Sequence, residues 1–111
     1  VEKNFQIRKK LEENILSLNL KAETTVYQEK ALTFCDNFRG KKYDLILADP
    51  PFFKDDIYEV VKNLLKNNFL AENGFIIIER SIQTKEKDVS NFKVEPFKVI
   101  GDACLYEITN N

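Results

Sequence analysis

The residues with most to offer chemically are Asp49-Pro50-Pro51-Phe52, placed directly after the apolar run Tyr43-Asp44-Leu45-Ile46-Leu47-Ala48. Pro50 disfavours helical backbone at Asp49, and Pro51 does the same at Pro50, so the tetrapeptide is stiff and extended. Neither proline carries an N–H. The segment therefore offers a carboxylate and carbonyl acceptors in fixed directions, followed by the flat ring of Phe52. Acceptors beside a ring suit a planar base with an exocyclic amine. Such an amine is a weak nucleophile because its lone pair is delocalised into the ring. Acceptance of its hydrogens by Asp49 and the Pro50 carbonyl favours the tetrahedral nitrogen that attacks an electrophile. A charged hydrogen bond contributes roughly 1.5–3 kcal/mol, and stacking on an aromatic ring roughly 1–3 kcal/mol per base. The plainer reading is a strand terminator with its phenylalanines in the core, Phe53 more so than Phe52.

The elements that must hold this segment can be read from periodicity. Ile7, Leu11, Ile15 and Leu18 form one apolar stripe, which predicts a helix over 5–18. Thr24–Tyr27 reads as a short strand, and Ala31–Phe38 as a short helix closed by Gly40. Tyr43–Ala48 is nearly continuous in apolar residues, as in a parallel strand buried on both faces. A helix then starts at Asp55 or Asp56, its acids suited to an N-terminus. Ile57, Val60, Val61, Leu64 and Leu65 are its inner stripe, and Asn67, Asn68 and Gly74 mark the exit. Phe75–Ile78 reads as a second buried strand ending at Glu79 and Arg80, a pair expected at the surface. Residues 81–90 read as loop or frayed helix. Phe92–Val99 and Ala103–Ile108 read as strands of an antiparallel hairpin joined through Ile100-Gly101-Asp102, with Asp102 in the turn. Strand–helix alternation argues an open α/β sheet with helices on both faces. Ligands of such sheets bind beyond the carboxyl ends of the strands, where Asp49 sits.

Composition narrows the function. The chain has 111 residues, one domain or part of one, and 43% hydrophobic content. It has no histidine, which excludes histidine-based nucleophilic triads and argues against a zinc site. Cys35 and Cys104 have no paired spacing and read as reduced thiols of a cytosolic protein. No apolar run has the roughly 20 residues a membrane span needs. A formal net charge of −1 gives no general attraction to nucleic acid. The basic clusters Arg8-Lys9-Lys10 and Arg39-Gly40-Lys41-Lys42 read as solvated faces, or as local phosphate contacts. The chain opens on Val1, which implies a processed start or a piece of a longer protein.

Asp-Pro-Pro-Phe after an apolar strand resembles the fourth motif of amino-group methyltransferases that use S-adenosylmethionine. The wider chain is similar to the small 16S ribosomal RNA guanine-N2 methyltransferases. The blocks that carry the likeness are VEKN, YDLILADPPF, GFIIIER and VIGDACLYEI, and they span nearly the whole chain. The resemblance implies a partial Rossmann-like class I methyltransferase sheet with a C-terminal antiparallel hairpin, residues 1–111 being the C-terminal part of one catalytic domain. It implies that Asp49, Pro50, Pro51 and Phe52 hold the amine and stack the base. Glu2 is implied at the ribose of S-adenosylmethionine, Lys30 and Ala31 beside its adenine, and Asp49 at both substrates. Ribosomal RNA or the small ribosomal subunit is the implied partner. Glu79 matches an acidic strand end without an assigned role. The family's first strand and its glycine-rich loop do not occur in this sequence. That implies an exposed edge on strand 43–48, an unplaced strand 24–28, possible self-association of the chain through that edge, and an inactive fragment. An adenine-N6 DNA or RNA methyltransferase, or a non-catalytic module of the same fold, shares these features and remains open.

Overall fold

In a computed structural model, residues 1–51 and 53–110 are described. They fall into two compact units, Val1–Asn37 and Phe38–Asn111. The first unit holds helix α1 (Phe5–Ser17), a 3-10 turn at Lys21–Glu23 and the single helical turn α2 (Ala31–Phe34). Asn4 caps α1 by accepting from the Ile7 N–H at 3.0 Å. The helix closes where the Leu18 N–H donates to the Asn14 carbonyl and Asn19 turns to a φ of 57°. Its apolar stripe exists but is not covered: no residue of α1 is buried, and Leu18 is 66% exposed.

Two sequence expectations fail in this unit. Thr24–Tyr27 forms no strand, because among the described residues no neighbour pairs with it. A backbone bond from the Glu2 N–H to the Tyr27 carbonyl, 2.9 Å, ties it to the chain start instead. The helix expected to Phe38 stops at Phe34, whose ring packs on Tyr27 with centroids 4.9 Å apart.

The second unit is built on a mixed four-stranded sheet in the order β1-β2-β4-β3. Strand β1 is Tyr43–Ala48, β2 is Leu70–Ser81, β3 is Lys98–Ile100 and β4 is Ala103–Ile108. Only β1 and β2 run parallel, joined by helix α3 (Asp56–Lys66). Ile57, Val60, Val61 and Leu64 bury the inner stripe of α3, and Asp56 and Glu59 occupy its first turn. The hairpin β3–β4 closes from Ile100 to Ala103, with Gly101 at a φ of 57° first in its two-residue turn.

Strand β2 is longer than its apolar core suggests. It begins at Leu70 opposite Tyr43, bulges over 71–74, and regains register with Phe75 opposite Leu45. Asn73 has a positive φ of 65°, and a Cβ on Gly74 would stand 2.9 Å from the Ala71 carbonyl oxygen. Glycine is therefore required at 74 by close backbone approach. At its other end β2 continues through Arg80, since Arg80 and Ser81 pair with Cys104 and Ala103 of β4.

The strand expected over Phe92–Val99 is mostly absent. Residues 85–92 form helix α4, Lys93 turns it off in the left-handed conformation, and β3 is only three residues long. Phe92 belongs to the helix because its ring fills the space between Tyr58 and Tyr106, at 5.3 and 5.2 Å.

Side-chain alternation gives the sheet two unequal faces. Ile76, Ile78 and Arg80 of β2 and Cys104, Tyr106 and Ile108 of β4 are all buried. On the other face Leu45 and Leu47 are 49% and 72% exposed, and Phe75 is 38% exposed. The expectation that β1 is buried on both faces is thus corrected: one face is open, and β1 is an edge strand among the described residues. That unpaired edge was anticipated from the absent first strand. No helix among the described residues is long and apolar enough to cross a membrane.

Candidate active site at the strand ends

The parallel pairing places Ala48 opposite Ile78, so Asp49, just past the end of β1, lies beside Glu79, which is still within β2 and not at its end as expected. Both fall in phase with Leu47 and Ile77, on the open face. The two carboxyl groups meet. A hydrogen bond with Asp49, reinforced by its negative charge and by burial, holds the Glu79 carboxyl above the usual range. Glu79 therefore has a neighbour in the motif, which sequence reading could not supply.

Beyond Asp49, Pro50 is half-buried and Pro51 exposed. The Lys54 N–H reaches back to the Pro51 carbonyl at 3.4 Å. Phe52, the expected stacking ring, lies outside the described residues. Phe53 was expected in the core and is not: it is 63% exposed and sits at a φ of 66°, a left-handed conformation uncommon for a bulky side chain. Asp55 then leads into α3 and pairs with Lys87 of α4, Oδ2 to Nζ 2.6 Å.

Arg80 is the largest departure from expectation. It is no surface partner of Glu79 but fully buried. Its Nε donates to both Asp88 oxygens at 3.1 Å, and its Nη1 donates to the Lys54 carbonyl at 2.9 Å. Asp88, also fully buried, accepts further hydrogen bonds from the Tyr58 hydroxyl and from Thr84 Oγ1, the latter at 2.7 Å. The Arg80 guanidinium lies over the Tyr58 ring, 5.7 Å from its centroid. A buried charge is tolerated only when paired and hydrogen-bonded, and Asp88 meets that need. The signal was present but faint. Arg80 continues the inward phase of Ile76 and Ile78, while Asp88 lies four residues from both Thr84 and Phe92, on one helix face.

Burial, and then the hydrogen bond it donates to Asp88, push the Tyr58 phenol up to about 12 from an ordinary 10.0. The folded protein thus holds this proton more tightly than the unfolded chain. Its contribution is complete below pH 10 and is lost as pH rises towards 12. Denaturant midpoints measured at stepped alkaline pH are expected to fall across that window in the native sequence. Tyr58→Phe is expected to show less of that fall.

The residues implied for the methyl donor lie in the first unit. Glu2 is half-buried and fixed by its backbone bond to Tyr27, whereas Lys30 caps α2 and Ala31 opens it, both exposed. Arg8 pairs with Glu12 at 2.6 Å and lies over the Phe5 ring, while Lys9, Lys10, Lys41 and Lys42 are exposed, as read from sequence.

A parallel strand pair ending in Asp-Pro-Pro, with a hairpin on the far side of the sheet, makes this a mixed α/β sheet. Comparison with known proteins gives the family. Residues 1–108 match the family described as conserved hypothetical protein 95, and the chain belongs to it. An uncharacterized methylase, RP545, of Rickettsia prowazekii (strain Madrid E) is 38% identical over 73 residues, 65% of this chain and 30% of its own length. Two solved structures share the fold, each with a TM-score of 0.75. The provisionally named methylase HI0767 of Haemophilus influenzae is 23% identical, over 96% of this chain and 68% of its own. The provisionally named methyltransferase yhhF of Escherichia coli is 21% identical, over 99% and 61%. The chain thus matches only part of the length of these methylase relatives.

Proposed function

We propose that the whole protein transfers a methyl group to the exocyclic N2 amine of a guanine in small-subunit ribosomal RNA. The observation that carries this reading is the placement of Asp49. Its carboxylate stands exposed at the carboxyl end of a parallel strand, ahead of two prolines that fix its direction. Asp49 and the Pro50 carbonyl accept the two amine hydrogens, and Phe52 stacks the base. As the nitrogen gains its methyl group it loses one proton, and Asp49, open to water, is the acceptor beside it.

S-adenosylmethionine, when bound, supplies an electrophilic methyl group. The residues of this chain fit it in part. In the first unit Glu2 carries a carboxylate of the kind that accepts from ribose hydroxyls, and its backbone N–H is tied to Tyr27; Lys30 and Ala31 are proposed for the adenine, and Asp49 of the second unit for the reacting end. The glycines stand before β1, in the β2 bulge and in the hairpin turn, so none makes a strand-to-helix loop for the donor. By itself the chain is therefore proposed to be inactive, and its β1 edge to be open to self-association.

The test uses the whole protein. Calorimetry with S-adenosylmethionine is expected to show binding, and labelled donor is expected to mark small-subunit ribosomal RNA but not duplex DNA. Absence of donor binding would favour a non-catalytic module, and label on DNA would favour the adenine-N6 reading.

A further inference from the structure

We infer that Arg80 is a positioning residue for methyl transfer: its guanidinium pins the exit of the Asp49–Lys54 segment, and through it the direction of Asp49. This rests on the function proposed above. The entry of the segment is fixed by the sheet, since Ala48 pairs with Ile78. The exit is fixed from inside by the Arg80 Nη1 bond to the Lys54 carbonyl, 2.9 Å. Between the two ends stand two prolines with locked φ and Phe53 at a φ of 66°. A left-handed phenylalanine persists only where its surroundings impose it. Two φ angles of the segment are locked by proline rings and a third is held at a strained value, so displacement of the Lys54 end is passed in part towards Asp49.

The wiring of Arg80 agrees with this role. Asp88 of α4 accepts from the guanidinium, and Tyr58 of α3 and Thr84 of the turn before α4 in turn donate to Asp88 and hold it in place. Nη2 stands 3.1 Å from Asp88 Oδ1 yet makes no aligned hydrogen bond. A buried ion pair with unsatisfied donors stabilises a fold no better than apolar residues of similar size. What apolar residues cannot supply is a donor aimed at the Lys54 carbonyl.

The test separates holding from folding. Arg80→Met alone leaves Asp88 buried and uncompensated, so the decisive variant is Arg80→Met with Asp88→Leu in the whole protein. Its thermal midpoint is expected to recover most of the loss seen in Arg80→Met. Amide exchange in peptides covering 49–56 is expected to quicken about 10- to 150-fold, with β2 and α3 unchanged. Turnover on RNA is expected to fall on the order of 10²-fold, with KM for the donor within about twofold of native. Native exchange in 49–56, or native turnover in the refolded double variant, would overturn the inference. If the native protein methylates no RNA, the function proposed above fails, and the exchange comparison still decides whether Arg80 holds the loop.

Discussion

Asp49→Ala in the whole protein is expected to lose about 10- to 150-fold in turnover while S-adenosylmethionine affinity stays near native. The size follows from one charged hydrogen bond, roughly 1.5–3 kcal/mol, felt more strongly by the transition state than by the bound base. Asp49→Asn keeps an acceptor oxygen and loses the charge, so it is expected to fall between the two. Single-turnover rates with saturating donor, beside calorimetric affinities, check the order native, Asn, Ala. The same substitution has a structural readout. Without the Asp49 carboxyl, the principal cause of the raised Glu79 pKa disappears, and an NMR titration is expected to show Glu79 moving down towards an ordinary carboxyl. Equal turnover in all three forms would remove Asp49 from the chemistry.

The second large effect is on stability. Asp88→Ala leaves Arg80 charged in a fully buried position and takes the acceptor from Tyr58 and Thr84. Breaking a buried pair from one side costs about 3–5 kcal/mol, a large share of the 5–15 kcal/mol typical of a folded domain. Urea unfolding of native and Asp88→Ala protein is the measurement. A loss below about 1 kcal/mol, the range of exposed pairs, would show that the cluster is solvated in solution. Asn in place of Asp88 retains acceptors without the charge and is expected to recover part of the loss.

What could be read in the sequence was what depends on near neighbours in the chain. Helix α3 announces itself by its stripe from Ile57 to Leu64 and its N-terminal acids. The end of β1 at Asp-Pro-Pro and the Gly101-Asp102 turn follow from local backbone chemistry. Thr24–Tyr27 misleads because β-branched residues make a strand only where a partner strand exists, and among the described residues none pairs with it. Phe92 misleads for a similar reason: its place between Tyr58 and Tyr106 holds it in α4 against its own β propensity. The bulge at 71–74 rests on a close approach between Gly74 and the Asp44 carbonyl that no local pattern encodes.

The site divides in the same way. The end of β1 at Asp49 and its prolines was legible because their constraint is covalent. Arg80, Asp88 and Tyr58 were not, because 8 residues separate the first two and 30 separate Tyr58 from Asp88. Only the packing of α3 and α4 on the inner face of β2 turns three polar residues into one buried cluster. Glu79 was expected to end its strand and instead lies inside β2, and its neighbour Asp49 became visible only through the register of β1 on β2.

The claim that the strand end holds a guanine amine is tested most directly by the identity of the product. Small-subunit ribosomal RNA would be treated with the whole protein and labelled S-adenosylmethionine, digested to nucleosides and analysed by mass spectrometry. Label in N2-methylguanosine, lost with Asp49→Ala, is the expected result. Label in N6-methyladenosine, or N2-methylguanosine formed equally well without Asp49, would contradict it.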